Sequence, residues 1–168
     1  MSNKVEDLKA KVLEAQQNSD IATMYVLQEE ALETFDEETV SAFFANILDL
    51  ALENLTNTLE SCQKLDTNDV QGFATLRALY EYAMEHYHAE ANQDASALFE
   101  VLAGITEDEE FSLALKYHFK AAEKAISLET FMDEYADIEK TQTNNTFYIS
   151  CFKNKAQELL NTSKKVSE

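Results

Sequence analysis

Apolar residues recur every three or four positions through most of the chain, which is the spacing of one face of an α-helix. The first such run covers residues 5–15. A second run follows Ser19 or Asp20, either of which can cap a helix, and a third, long run follows Asp36. Residues 65–69, Leu-Asp-Thr-Asn-Asp, are rich in capping side chains and are the predicted linker after this group of helices.

The helical pattern continues beyond the linker. A helix is predicted over residues 70–90. Asn92 or Asp94 is predicted to start a shorter helix. This helix is expected to end near Gly104, because glycine readily adopts the left-handed conformation that closes many helices.

The last third of the chain carries further signals for helix starts. Thr106 and Glu109 have the spacing of a capping box, in which each side chain accepts a hydrogen bond from a backbone N–H near the other. Ser127 is predicted to cap the next helix. Residues 141–146 are predicted to form a turn, and residues 147–163 the last helix.

Eight amphipathic helices with short connections predict an all-α protein built from antiparallel helix pairs. We expect one domain over residues 1–168, with N-terminal helices in 1–65 and a C-terminal helix in 146–165. Between them, residues 70–140 are predicted to form a tetratricopeptide-like array of helix pairs. A closed helical bundle is the alternative architecture.

The composition excludes several other folds. Proline is absent and glycine occurs twice, 32 residues apart, so the chain has no glycine-rich loop for phosphate or dinucleotide binding. Asn-Gly, Asp-Gly and Gly-Gly pairs, which form tight β-hairpins, do not occur. Most all-β architectures are therefore excluded as well.

The charge of the chain restricts its partners. Thirteen Lys and Arg residues stand against 32 Asp and Glu residues, which gives a net charge of −19. Because phosphates would be repelled, we expect no binding to nucleic acid or to anionic membranes. The sequence has no membrane-spanning run and no apolar signal segment, and Cys62 and Cys151 are expected to be reduced thiols. The predicted location is the cytoplasm.

One stretch fits the packing pattern of a tetratricopeptide repeat. Ala83 and Ala95 occupy the small positions that let two paired helices approach each other. Leu79, Tyr82 and Phe99 occupy the large positions that fill the space beside them. This unit predicts a helix pair with a concave face lined by its first helix.

Residues 79–120 resemble the class II chaperones of bacterial type III secretion, which fold as tetratricopeptide arrays. The core of that family reads approximately L-Y-x-x-A-x-x-x-Y, then a turn, then D/E-A-x-x-x-F-x-x-L. The matching residues here are Leu79, Tyr80, Ala83, Tyr87, Asp94, Ala95, Phe99 and Leu102. Residues 111–115 resemble the start of the next repeat.

The resemblance implies a non-enzymatic cytoplasmic chaperone without a cofactor. Such a protein holds an extended or amphipathic segment of a client, for example a secreted translocator, in a helical groove, and it often forms a homodimer. The predicted partner-binding residues are Arg77, Tyr80, Met84, Tyr87, His88, Leu113, Tyr117 and Lys120. Tyrosine and methionine suit such a groove, since both offer a large apolar surface.

Other interpretations of the same residues stay open. Tyrosine and methionine at helical spacing are also typical of a buried core, in which case the protein would be a scaffold or dimerisation protein without a groove. The high negative charge is also compatible with an acidic decoy that occupies a basic protein.

The pattern does not favour an enzyme. Glu85 and His88 have the Glu-x-x-His spacing of helical di-iron sites, but the remaining histidine, His118, has no Glu three residues before it. His86 and His88 would point about 200° apart on a helix, which does not suit shared metal ligation. We therefore expect no metal site and no catalytic residues.

Overall fold

The computed structural model describes residues 2–166, with side chains from 4 to 161, and this part of the chain contains ten α-helices and no β-strand. The prediction of an all-α fold is confirmed. The chain divides into two compact units, Met1–Ala78 and Leu79–Glu168, so the division falls within a helix and not at the predicted linker 65–69. Within the described residues, no helix combines the length and the apolarity that a bilayer span requires.

The first unit consists of four helices and the beginning of a fifth. They are α1 (Ser2–Gln17), α2 (Ile21–Val26), α3 (Gln28–Thr34), α4 (Glu37–Glu60) and the start of α5 (Val70–His88). The core of this unit is aliphatic with one phenylalanine. Its buried apolar residues include Leu8, Ala15, Ile21, Met24, Ala31, Phe43, Ile47, Ala51 and Leu76.

The second unit contains the rest of α5 and the helices that follow. These are α6 (Asn92–Ile105), α7 (Glu109–Glu123), α8 (Leu128–Thr130), which continues as a π-helix (Phe131–Tyr135), α9 (Ile138–Asn144), a 3₁₀ turn (Asn154–Ala156) and α10 (Gln157–Val166). The core of this unit is aromatic. Its largest buried rings are Tyr80, Tyr87, Phe99, Phe111, His118, Phe131 and Tyr148.

Three predicted helix caps are confirmed by hydrogen bonds to the side chain of the capping residue. Asp20 Oδ1 accepts from the Thr23 backbone N–H at 3.1 Å. Asp36 and Ser127 accept in the same way from the N–H three residues further on, at 2.8 and 3.1 Å. Each bond satisfies one backbone donor that the first turn of a helix leaves without an intrahelical partner.

The capping box and the glycine cap are corrected by the structure. Asp108 caps α7, because its Oδ1 accepts from the N–H groups of Glu110 and Phe111. The Thr106 hydroxyl instead accepts from the Asp108 N–H at 3.2 Å, and Thr106 is buried. Gly104 lies inside α6, which continues to Ile105, and its φ is not positive.

Among the residues that the structure describes, five helices end in a left-handed residue that is not glycine. These residues are Ser19, Cys62, Glu90, Ala125 and Asn145, with φ between 54° and 65°. After α5, for example, the N–H of Ala91 donates to the His86 carbonyl and that of Glu90 to the Tyr87 carbonyl, which is the Schellman pattern. Four of these five are residue types that adopt this conformation at a cost, so the scarcity of glycine leaves strain at the helix ends.

The last predicted helix begins about ten residues later than the pattern indicates. The turn predicted over residues 141–146 lies mostly within α9, and residues 146–153 are non-helical. We call residues 146–153 the extended segment. Phe152 of this segment forms an antiparallel bridge with Ala136. Beside the bridge, the Asp137 N–H donates to the Cys151 carbonyl at 2.8 Å.

Candidate functional site

Tyr80 and Tyr87, two predicted anchors for a partner, are buried in the core of the second unit. Tyr80 is 4% exposed and Tyr87 1% exposed. Their exposure to a partner is therefore a wrong prediction. Helical spacing identifies the apolar face of α5, but it does not say which part of the chain covers that face.

The Tyr80 hydroxyl is the centre of a buried chain of hydrogen bonds. His118 Nδ1 lies 2.7 Å from the Ala114 carbonyl, which accepts and cannot donate, so Nδ1 carries the imidazole proton. His118 Nε2 is then the acceptor for the Tyr80 hydroxyl at 2.8 Å. The Tyr80 oxygen in turn accepts from the backbone N–H of Ile149 at 3.1 Å. This chain fixes the extended segment to α5 and α7.

Burial shifts the pKa of both side chains in this chain of hydrogen bonds. It lowers the pKa of His118 to about 4, because the charged imidazolium would lose its hydration. It raises the pKa of Tyr80 well above its ordinary value for the same reason. Neutral His118 and protonated Tyr80 are the forms that the hydrogen bonds require.

The extended segment covers the face where the groove was predicted. Phe147 and Tyr148 place their rings 5.1 and 4.4 Å from that of Phe111, and Phe152 places its ring 4.5 Å from that of Tyr117. The Thr141 hydroxyl accepts from two backbone N–H groups of the same segment, at 3.3 and 3.1 Å. The segment that lies across these aromatic residues is non-helical and belongs to the same chain.

The remaining predicted partner-binding residues do not form one surface with the two tyrosines. Met84, Tyr117 and Lys120 are half-buried, and Lys120 lies 4.0 Å from the Glu123 carboxylate. His88 is exposed and Leu113 is 47% exposed. Arg77 belongs to the first unit.

The histidines of α5 do not assemble a metal site. Within the described residues, no group of three or more His, Cys, Asp or Glu side chains is placed to hold a metal ion. The His86 ring instead packs edge-on against Tyr82, with 4.6 Å between the ring centres.

The first unit carries an exposed apolar depression between α2 and the start of α5. Three large apolar side chains at its edge are exposed: Val26 by 80%, Val70 by 66% and Phe73 by 40%. Its volume is about 320 Å³, and its other lining residues are Ala22, Tyr25, Thr67, Asn68, Ala74 and Arg77. We call this depression the Val26 groove. Contiguous exposed apolar surface of this kind marks interaction sites in soluble proteins.

The two helices that form the Val26 groove are joined by a pair of hydrogen bonds. The Gln71 side chain donates to Asp20 Oδ1 at 2.6 Å and accepts from the Ala22 N–H at 3.2 Å. Asp20 is also the N-cap of α2, and hydrogen bonds from Thr23 and Gln71 hold its pKa below the ordinary value. The cap of one helix therefore also fixes the position of the other.

Besides α2 and α5, the loop residues Thr67 and Asn68 line the groove. A close approach between two backbone segments fixes the position of this loop. A Cβ atom on Gly72 would lie 2.5 Å from the carbonyl oxygen of Asp66, so this position requires glycine. The Asp69 carboxylate accepts from the Gly72 N–H at 2.8 Å. These contacts hold Thr67 and Asn68 against the start of α5.

Arg77 closes one end of the Val26 groove. Its guanidinium lies 4.0 Å above the centre of the Tyr25 ring, and its Nη2 lies 3.5 Å from Gln28 Oε1. A cation over an aromatic face is attracted by the ring quadrupole. Arg77 thus lines this depression together with α2, and not a face shared with Tyr80 and Tyr87.

The groove residues Tyr25, Val26, Val70 and Phe73 were not among the predicted site residues. A signal was present, because Val26 lies outside the helical phase of Ile21 and Met24, both of which are buried. An apolar residue out of phase with the buried face points into solvent. Phe73 of α5 carried no such signal, because it precedes the buried Tyr80 by seven residues and lies on the same helical face.

Other depressions of the described residues are less apolar at their edges. One of about 410 Å³ lies in the second unit between α5 and α6, lined by Tyr82, His86, Asp94, Ala97, Leu98 and Val101. None of the large apolar side chains that are strongly exposed lines it, whereas three of them line the Val26 groove. The Val26 groove is therefore the better candidate for binding.

Comparison of the chain with protein-family models, with curated protein sequences and with solved structures finds no match.

Proposed function

We propose that this protein is a non-enzymatic adaptor or chaperone that binds an apolar segment of a partner protein in the Val26 groove. The observation that carries the proposal is the group of exposed apolar side chains around one depression. Its nine lining residues include no carboxylate, imidazole or thiol. Arg77 is the one charged group among them, and an arginine stays protonated, so the lining favours binding over acid–base chemistry.

The dimensions of the groove suit a short amphipathic helix. Val70 and Arg77 are seven residues apart on α5, which corresponds to about 10 Å along the helix axis. Two turns of a partner helix cover that distance and present apolar residues at positions i, i+3, i+4 and i+7. Covering Val26, Val70 and Phe73 would remove their exposed surface from water at a gain of about 25 cal/mol per Å².

The resemblance of residues 79–120 to secretion chaperones suggests a narrower form of the proposal, although these residues belong to the second unit and do not line the Val26 groove. In that form the bound segment belongs to a secreted translocator and binding takes place in the cytoplasm. Both cysteines are free, which suits a reducing compartment. The burial of Tyr80 and Tyr87 favours a second candidate role, a closed helical scaffold, for the second unit itself.

Binding of a neutral peptide tests the proposal. The probe is a fluorescein-labelled 16-residue peptide with leucine at i, i+3, i+4 and i+7 and glutamine and alanine elsewhere. We expect saturable binding by fluorescence anisotropy, weakened at least tenfold by Val26→Ser with Val70→Ser. Two buried valines contribute about 3 kcal/mol together, and the substitutions remove most of it.

Leu13→Ser with Leu59→Ser is the matched control, since these leucines of the first unit are 53% and 50% exposed and do not line the groove. Circular dichroism and urea unfolding establish that both double variants are folded. Equal loss of binding in the two variants, or no binding to the wild type, contradicts the proposed site.

A further inference from the structure

The first unit, which carries the Val26 groove, has a large excess of negative charge. The first unit contains five Lys and Arg residues and 15 Asp and Glu residues, a net charge of −10. Such an excess produces a negative potential that attracts cationic ligands and repels anionic ones. An apolar partner segment therefore meets this potential before it reaches the groove.

Acidic residues are sequence neighbours of groove residues at both ends of the groove. At the start of α5, Asp66 and Asp69 flank the lining residues Thr67 and Asn68 in the chain. At the other end, Glu29 and Glu30 follow directly on Gln28, whose side chain contacts Arg77. Glu29, Glu30 and Asp69 are exposed to solvent.

The positive charge in the lining is already engaged within the protein. The Arg77 guanidinium lies over the Tyr25 ring and beside Gln28, so it stabilises the wall of the groove. A partner with acidic flanks would have to compete for this guanidinium and would face the carboxylates at both ends. A partner with basic flanks meets opposite charges without disturbing Arg77.

We propose that the partner segment is an amphipathic helix with an apolar face two turns long and with Lys or Arg residues on both flanks. This inference rests on the proposed function, because it specifies the occupant of the same groove. A second copy of this chain fits the groove poorly as an occupant, since two faces rich in carboxylates repel each other. The basic flanks would also accelerate association, because opposite charges steer the encounter of two proteins.

Three peptides with the same leucine face test the inference. Their two flanking positions on each side carry glutamine, lysine or glutamate, and their affinities are measured by fluorescence anisotropy at 0.05 and 0.5 M NaCl. We expect the lysine peptide to bind at least tenfold more tightly than the glutamate peptide at low salt. The ratio should fall several-fold at high salt, because exposed charges are then screened over a few ångströms.

Substitution of the carboxylates locates the source of the preference. Glu29→Gln with Glu30→Gln should reduce the lysine-to-glutamate ratio several-fold and leave the affinity of the glutamine peptide unchanged. Glu37→Gln with Glu38→Gln is the matched control, because these residues are also an acidic pair in the first turn of a helix, α4. The control variant should keep the ratio of the wild type.

The outcomes separate the two proposals. If the glutamine peptide binds in the groove but the lysine and glutamate peptides bind equally, the inference fails and the proposed function stands. If a lysine peptide without leucines binds as tightly as the amphipathic one, the site is an electrostatic surface and the inference fails. If sedimentation shows a dimer that Val26→Ser with Val70→Ser dissociates, a second copy is the occupant and the inference is wrong.

Discussion

The Tyr80 hydroxyl donates to His118 Nε2 across 2.8 Å, and both side chains are buried. The same hydroxyl accepts from the Ile149 N–H, so one side chain connects α5, α7 and the extended segment. A phenylalanine in place of Tyr80 would keep the ring contacts and remove both hydrogen bonds. This relationship provides the sharpest test of how the second unit is held together.

Tyr80→Phe is expected to lower the free energy of unfolding by about 3 kcal/mol. The substitution leaves His118 Nε2 and the Ile149 N–H buried without a partner, and each unsatisfied group costs about 1–3 kcal/mol. Urea unfolding measures the loss, and faster hydrogen exchange of the Ile149 amide locates it. Tyr82→Phe, at a half-buried tyrosine of the same helix, is the control and should change stability little. An unchanged Ile149 amide in Tyr80→Phe would contradict the role of this bond.

Stability is expected to decrease as the pH falls from about 6.5 to about 4. Burial lowers the pKa of His118 from 6.5 to about 4, so in this range the unfolded chain binds a proton that the folded chain does not. The contribution of His118 is fully present above pH 6.5. It falls by about 3 kcal/mol by pH 4, at 1.36 kcal/mol for each unit of the pKa difference.

Urea unfolding between pH 4 and 7 measures this dependence. His118→Gln should flatten the slope, because glutamine can hydrogen-bond to Tyr80 but does not titrate. His88→Gln changes an exposed histidine of α5 and should keep the slope of the wild type. A steep slope that persists in His118→Gln would assign the pH dependence to other groups.

The two glycines are expected to respond in opposite directions to alanine. Gly72→Ala should destabilise the first unit by about 1–3 kcal/mol, because the new Cβ would lie 2.5 Å from a backbone oxygen of Asp66. Gly104→Ala should stabilise the protein by about 1 kcal/mol, since the site has open space and lies inside α6. Thermal unfolding of the two variants measures both effects, and a stable Gly72→Ala would disprove the close approach at Asp66.

Ala125→Gly is expected to stabilise the protein by about 1 kcal/mol. Ala125 ends α7 with a φ of 58°, a conformation that costs an L-residue about 1–2 kcal/mol and glycine much less. Ala97→Gly is the control, because Ala97 is also exposed but lies inside α6, where glycine destabilises by about 1 kcal/mol. Destabilisation by both substitutions would show that the left-handed position carries no strain.

Local signals predicted the parts of the fold that depend on neighbouring residues. The start of α4 follows from Asp36, whose side chain accepts from an N–H three residues away. The prediction of a capping box at Thr106 was wrong because Thr106 and Asp108 are both able to cap the helix that follows, and Asp108 makes the cap hydrogen bonds. A carboxylate is the stronger acceptor, and near a helix N-terminus its charge is favourable.

The parts that were not predicted depend on contacts far along the chain. Residues 147–152 are rich in apolar side chains and fit a helical pattern, but Ile149 donates to Tyr80, 69 residues earlier. In the same way, Val26 and Phe73 became recognisable as a site when the structure placed α2 beside α5. The periodicity of the sequence shows which face of a helix a side chain occupies. Which other part of the chain packs on that face is decided by tertiary contacts.

The late position of the extended segment has a consequence for biosynthesis. Tyr80, Phe111 and His118 are synthesised before residues 147–152, which cover them. At about 5–20 residues per second, the nascent chain keeps this aromatic surface uncovered for several seconds. The core of the second unit therefore stays open until residues 147–152 are available, and a chain truncated before residue 147 would expose an aggregation-prone aromatic surface.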